Sequence, residues 1–512
     1  MKHAFWLTLS LLLSISAFSQ KERNNQISYE KRIELELKDG YTNERIYEFG
    51  KQGFVMTSRN IEVAANKVEW KYELYNTDLE SVKSKSIHIN KKFRFDERFV
   101  DEHHIHTLYK DKKGNYAIVS VDAATLEIKK VEGTIPKKSW ISGMAILGDY
   151  AFLKASIKKD SFLFSVNWKT GKKQFIPVNI PRISPKKVSL WNFQTMKESN
   201  EIFLYVRAQI EKNKHDIYII RLNDKGEKED LFNLTKDIDK NIMSVTASKL
   251  ADGKYVFTGT YSKKFAVSSE GMYFCQGQEG KIDFIEFYNF LDLENFLAYL
   301  PQKRKKKLEK KKERKEKKGK AFKISYRIAA HNIIQLDDGY LFLGEAFYPT
   351  YRTETYYVTT TIGGVASRVP QYRTVFDGYQ YTHAVLGKFD KQGKLIWDEI
   401  FELWSAAKPF YIKRFISIAE QKQNSIKLAF SSRANIFTKS VDFDGKVLED
   451  SKSEEIQMAY DGDKSKWSSS NLSFWYENYF LAWGRQKIKN KEDNKKVKRK
   501  RKVYFVSKIK YE

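Results

Sequence analysis

One hairpin recurs along this chain, and it constrains the fold more than any other feature. An alternating apolar strand, a polar turn and a second strand appear in YELYNTDLESVKS (turn near Asp78), YAIVSVDAATLEIKKV (Thr125) and FLFSVNWKTGKKQFI (Gly171). They appear again in IYIIRLNDKGEKEDLF (Gly226), MYFCQGQEGKIDFI (Gly280), AVLGKFDKQGKLIWDEI (Gly393) and IFTKSVDFDGKVLED (Gly445). Glycine supplies the positive φ of a tight hairpin, and an Asp or Asn just before it hydrogen-bonds its own backbone. Successive turns lie 47, 46, 55, 54, 113 and 52 residues apart.

The long gap contains two segments of foreign composition, residues 290–320 and 348–380, and taking out their 31 and 33 residues restores a spacing of 49. Further strand pairs lie between the hairpins, as in VTASKLADGKYVFTGTY around Gly253 and HNIIQLDDGYLFLGEAF around Gly339. About four strands every 50 residues is the period and content of a β-propeller blade. Seven hairpins predict seven blades. NLSFWYE, YFLAWGRQ and VYFVSKIKY then add three strands before the chain ends, and KRIELEL at residues 31–37 stands alone ahead of the first blade, placed to complete an eighth and close the ring. The expected fold is therefore an all-β propeller of about eight four-stranded blades, with seven as the alternative if residues 91–180 hold one irregular blade.

Composition agrees with a strand-built core. The chain has 30 Tyr and 35 Phe, and its 25 Gly and 8 Pro are too few for a collagen-like or linker architecture. A single cysteine, Cys275, excludes an internal disulfide framework and a thiolate metal cluster.

Stretches such as IIQLDDGYLFLGEAF followed by LGKFDKQGKLIWDEIF resemble the propeller-type repeats common in exported proteins of Bacteroidetes-like bacteria. The resemblance spans most of residues 40–512 at the level of pattern. It implies a fold and an envelope setting and names no activity; WD40 and kelch signatures are absent.

The first residues, MKHAFWLTLSLLLSISAFSQ, read as a secretory signal peptide over 1–19, with Lys2, an apolar run to Ile15 and small residues at the cleavage site. The apolar run is too short and too interrupted for a transmembrane anchor, and no cysteine follows it to carry a lipid. A single propeller domain over 20–512 is expected, exported to the periplasm or beyond, soluble or peripheral, with no transmembrane segment after cleavage.

The formal net charge of +28 is concentrated. Residues 303–320 carry 13 Lys or Arg against 3 Glu, and residues 485–502 carry 11 against 2 acids. Two basic protrusions are unlike the interleaved basic and aromatic surface of a nucleic-acid binder, so nucleic acid is disfavoured. Contact with an anionic envelope surface is the functional expectation, through Lys305, Lys306, Lys307, Lys311 and Lys312; a merely solvated charged tip is the competing account. Phe287, Phe290, Leu291, Leu297 and Leu300 fall at helical spacing just before the first run and predict an amphipathic helix, either packed on the propeller side or used for docking.

The segment 348–380 predicts an extended Tyr-rich hairpin around Gly363 and Gly364. Tyr348, Tyr351, Arg352, Tyr356, Tyr357, Tyr372, Arg373, Tyr379 and Tyr381 are the candidate partner-binding residues, because Tyr and Arg combine large contact area with a polar tip and low ordering entropy. The expected partner is an envelope protein or a glycan.

Catalytic signals are weak. Glu102, His103, His104 and His106 form a histidine cluster in which His104 and His106 share a strand face, a two-ligand start for zinc or copper without a third donor; a surface strand is the simpler account. No metal, cofactor or catalytic residue is assigned. Asp442–Gly445 and Asp461–Asp463 read as turns rather than calcium loops. A non-enzymatic envelope binding or scaffold protein is the expected function. The alternative is a hydrolase of polysaccharide or peptide with its site at the channel mouth.

Overall fold

The recurring turns close through one side chain. Asn76 Oδ1 accepts the N–H groups of Asp78 and Glu80, both at 2.9 Å. Asn223 does the same for Lys225 and Glu227, and Asp442 for Asp444 and Lys446. The chain then passes through a left-handed residue, Gly226 at φ 82° or Gly445 at φ 90°. In the first two turns leucines hold that position, Leu79 at φ 57° and Leu126 at φ 54°. Both are buried, so apolar burial offsets a strain of about 1–2 kcal/mol.

The structure is a computed structural model describing residues 27–511 apart from 38–39, 65, 137–138, 159, 212–213, 236–237, 264–267, 320–321, 323, 325, 363–364, 404, 420–423 and 492–496. The expected signal peptide, 1–19, lies outside the described residues.

The strands form eight antiparallel sheets. Blades 1 to 7 follow one another along the chain, over 41–90, 94–134, 139–177, 188–233, 241–289, 327–402 and 417–455. Blade 8 comprises Asp463–Tyr476, Tyr479–Asn490 and Lys500–Tyr511, and takes Ile27–Glu36 as its outer strand. In blades 5 and 6 the inner position is shared by two short strands.

Consecutive sheets share apolar cores. Trp70 and Tyr72 of blade 1 pack with Tyr109 and Val119 of blade 2, Phe152 of blade 3 with Leu204 of blade 4, and Leu343 of blade 6 with Phe430 of blade 7. The last seam joins the end of the chain to its beginning: Trp475, Leu481 and Tyr504 of blade 8 pack with Phe54 and Tyr75 of blade 1. The ring is thus a closed eight-bladed propeller.

Ring closure follows the pattern that the sequence predicts. Ile33 pairs with Val506 and Leu35 with Tyr504, and the strand begins at Ile27, ahead of KRIELEL. Every recurring turn joins the third and outer strands of its blade. Blade 8 lacks such a turn because its outer two strands come from opposite ends of the chain, which is why seven hairpins accompany eight blades.

Strand parity divides the connections between two faces. First-to-second and third-to-outer turns lie on one face. Second-to-third turns and the crossings between blades lie on the other, here called the arm face. The segment between Lys281–Asn289 and Arg327–Ala330 is a crossing, and the Tyr-rich segment is the second-to-third turn of blade 6. The basic segment between Tyr479–Asn490 and Lys500–Tyr511 is the corresponding turn of blade 8. All three leave the ring on the arm face.

The expected amphipathic helix is corrected. Phe287 lies in the strand Lys281–Asn289, and residues 290–300 form turns that bury Phe290, Leu293, Phe296 and Tyr299. Asp398 holds this segment from outside, accepting the N–H groups of Glu294 and Asn295 at 2.8 Å each. The helix is α1 (Gln302–Glu316), in the Lys-rich run, and none of its residues is buried.

Candidate functional site

Strands Gly339–Ile362 and Val365–Asp390 begin as the second and third strands of blade 6 and continue past it. Neighbouring strands flank them only as far as Phe347 and His383. Beyond that point a two-stranded ribbon runs on to Ile362, about 50 Å at roughly 3.4 Å per residue. Such a ribbon has no sheet face to bury and is marginal by itself.

Its register sorts the candidate residues. Tyr351 faces Phe376, Thr355 faces Tyr372, and Tyr357 faces Pro370, so one side is a ladder of rings and threonines. Tyr351, Tyr357 and Tyr372 are 61%, 63% and 69% exposed. The opposite side carries Arg352, Glu354, Arg373 and Tyr356. Glu354 bridges Arg352 (2.7 Å) and Arg373 (2.9 Å), which holds its carboxyl below the usual range, and the Arg373 guanidinium lies 5.7 Å from the Tyr356 ring.

Two candidates belong elsewhere. Tyr381 is fully buried, packs on Phe347 and Phe415 and accepts the Lys413 N–H at 2.9 Å, so it is core rather than recognition surface. Tyr379 is half-buried between Phe347 and Phe376 at the ribbon's base, while Tyr348 is exposed there. Register shifts at Ala346/Phe347 and Pro349/Tyr351 mark this change from blade to arm.

The crossing from blade 6 to blade 7 is stitched to that base. Tyr379 donates its N–H to Pro409 O (2.9 Å), Gln380 donates to Ser405 O (3.1 Å), and Lys408 pairs with Asp377 (3.0 Å). Gly378, at φ 93°, permits the approach, since a Cβ there would stand 2.5 Å from Lys408 O. The far end is held by the buried Glu345 carboxylate, which accepts His331 Nε2 (2.7 Å) and the N–H groups of Phe415 (2.8 Å) and Ile416 (2.9 Å). Between these anchors Phe410, Tyr411 and Ile412 stand 69%, 57% and 59% exposed, extending the aromatic side of the arm. Sequence reasoning missed them; their signal was KPFYIKR, an apolar triplet between cations without strand alternation.

Of the envelope-surface candidates, Lys306, Lys307, Lys311 and Lys312 are exposed on α1 and Lys305 is half-buried. The second basic run is not all solvated. Arg501 is buried and pairs with Glu34 (2.8 Å) and with Asp463, tying the closing strand to its blade.

The axial channel opens into a cavity of about 1090 Å³ lined by the inner strands of blades 2 to 6. Its ionisable lining comprises Glu97 and Glu198 against Lys154, Lys197, Lys249 and Arg414. Burial raises the Glu97 carboxyl and lowers the Lys154 ammonium, which donates to Trp191 O at 2.8 Å.

The histidine cluster gains a third donor. Asp101, His104 and His106 place ligand atoms within 4.8 Å of one another, on the face opposite the arms, and the acid is Asp101 rather than Glu102. The trio is also hydrogen-bonded internally: His106 contacts Ser120 Oγ (2.7 Å) and Asp101 Oδ2 (3.0 Å), and Asp101 accepts the N–H groups of His103 and His104. Burial works to raise the Asp101 carboxyl, but these bonds prevail and hold it well below the usual carboxylate range.

No protein-family model and no curated protein matches this chain. Among solved structures, the WD40 domain of SCAP from fission yeast is similar over 95% of this chain and 98% of its own, at TM-score 0.40 and 6% identity. An uncharacterised protein from Listeria monocytogenes is similar over 82% and 98%, at TM-score 0.38 and 11% identity. The β-propeller domain of the trilobed protease from Pyrococcus furiosus is similar over 82% and 96%, at TM-score 0.35 and 11% identity. At these scores the propeller assignment rests on the strand topology above. No helix among the described residues is long and apolar enough to cross a membrane.

Proposed function

We propose that the chain is an exported, non-enzymatic envelope protein whose propeller, forming one domain from residue 20 onward, presents a recognition surface to a protein or glycan partner. One observation carries this reading: the Tyr-rich ribbon, α1 and the basic turn of blade 8 all leave the ring on the arm face. Rings with large exposed area and low ordering cost are what recognition uses, and the ribbon has no structural need of them. The basic segments supply attraction to an anionic envelope surface.

A hydrolase at the channel mouth would call for converging carboxylates. The channel lining carries four cations and two acids, an electrostatic setting that favours binding over acid catalysis. The test is co-purification of the tagged mature protein from its native envelope, comparing wild type with the combined Tyr351→Ala, Tyr357→Ala and Tyr372→Ala variant. A partner recovered by the first and lost by the second is expected; equal recovery by both overturns the assignment of the arm.

A further inference from the structure

Between blades 1 and 2, opening on the arm face, lies a second cavity of about 650 Å³. Five cations line it: Arg45 and Arg59 from blade 1, Lys91 from the crossing, and Arg94 and Arg98 from the inner strand of blade 2. Among the described residues no carboxylate lines it, and none of the five is ion-paired to one. Three other enclosed arginines are met by carboxylates. Arg221 is met by Glu201, Glu229 and Asp230, Arg501 by Glu34 and Asp463, and Arg32 by Glu34. Like charges gathered in a partly enclosed space repel unless a counter-charge joins them.

The guanidinium groups are arranged to receive one. Arg98 is fixed from beneath: Nε donates to Thr107 Oγ1 (3.0 Å) and Nη1 to Tyr47 OH (2.5 Å), and the group lies 5.2 Å from both the Trp70 and Phe95 ring centres. Its Nη2 is buried beside the Tyr109 hydroxyl with no close hydrogen bond, and Arg59 Nε is buried with no acceptor. A buried donor without an acceptor costs about 1–3 kcal/mol, so Arg59 Nε, in a cavity whose five cations meet no carboxylate among the described residues, points to an acceptor that enters it. Arg45, Lys91 and Arg94 stand exposed at the rim. Phe95, 43% exposed, offers a ring face beside the charged groups.

We propose that this cavity is a binding site for a phosphate-type oxyanion carried on a ring-bearing small molecule, the oxyanion held by the arginines and the ring laid against Phe95. Planar guanidinium groups match the paired oxygens of phosphate, and aromatic walls match the face of a ring. The site is separate from the Tyr-rich arm and does not depend on the function proposed for it.

Phenyl phosphate is the probe, titrated into the full mature chain by calorimetry at low ionic strength. Saturable one-site binding is expected, weakening as salt is added. The rim variant Arg45→Gln with Arg94→Gln should bind about tenfold or more weakly while keeping the wild-type melting temperature. Replacing Lys306, Lys307 and Lys311 of α1 by Gln should leave binding unchanged. Phe95→Ser should remove the preference for phenyl phosphate over inorganic phosphate. Saturable binding that the rim variant retains, or that the α1 variant loses equally, overturns the proposal. So does the absence of saturable, salt-sensitive binding to the unaltered protein, a readout independent of whether any variant folds.

Discussion

The strand pair that closes the ring and the ribbon that leaves blade 6 are both long antiparallel ladders, and they do opposite things. Ile27–Glu36 lies against Lys500–Tyr511 and turns Ile33 and Leu35 into a core with Trp483 and Tyr504. Its Glu34 is buried between Arg32 and Arg501. The ribbon pairs over a greater length, yet beyond Phe347 it has no flanking strand, and Tyr351, Tyr357 and Tyr372 face water. Hydrogen-bonded pairing therefore does not mark a strand as structural. What does is the second layer against which a face is buried, present in the first ladder and absent from the second.

Removing the closing strand should have the largest effect. A chain beginning at Leu37 leaves the edge of Lys500–Tyr511 unpaired, strips Ile33 and Leu35 from the seam with Trp483 and Tyr504, and takes Glu34 from Arg501, which keeps Asp463 as its partner. Size-exclusion chromatography should find aggregate in place of monomer. A monomer with an unchanged melting temperature would show that the ring does not need its closure.

This contrast was half legible in the sequence. The turns could be read because an Asx side chain and a left-handed residue are local requirements, and the missing eighth turn could be read from the unmatched strands at the two ends. The helix expected from Phe287 to Leu300 failed because its spacing arises from the end of a strand followed by turns, and Asp398, about a hundred residues on, caps them. Asp101 joins the histidine cluster through a turn in which it accepts the N–H groups of His103 and His104, a conformation that strand alternation along 102–106 does not announce. The arginine cavity was invisible because its cations come from separate segments of two blades, and only the docking of those blades gathers them.

Next in size is recognition by the arm. Replacing Tyr351, Tyr357 and Tyr372 by alanine should leave the melting temperature nearly unchanged and weaken partner capture, each central ring being worth about 2 kcal/mol. Tyr356→Ala, on the charged side beneath Arg373, should leave capture intact. Unfolding of the triple variant would place the ribbon with the closing strand as structure.

A smaller effect tests the closing seam by pH. Burial pushes the Glu48 carboxyl up to about 7, against a hydrogen bond from Ser473 across the seam between blades 1 and 8. The folded protein holds this proton after the unfolded chain, at about 4.5, has released it. Its contribution to stability is complete below about pH 4.5 and is lost as pH rises through about 7, a change of about 3 kcal/mol. Glu48→Gln should raise the melting temperature by a few degrees near pH 8 and leave it unchanged near pH 4.5. A gain equal at both pH values would separate the seam from this titration.

The smallest effect on stability should come from deleting α1, residues 302–316, with a short Gly-Ser bridge. None of its residues is buried and its first turn holds no acid, so Lys303, Arg304 and Lys305 stand at the positive end of the helix dipole. Fifteen residues under such repulsion form a marginal helix in water, to which the ring owes nothing. The deletion should shift the melting temperature by no more than about one degree, equivalent to about 1 kcal/mol or less in a chain of this length. Its consequence belongs at a surface: each lysine near an anionic bilayer is worth about 1 kcal/mol. Wild type should therefore sediment with phosphatidylglycerol vesicles at low salt, and the deletion variant should do so far less. If the deletion lowers the melting temperature as the loss of the closing strand does, α1 is part of the ring's support; if adsorption survives it, the basic turn of blade 8 is the surface contact.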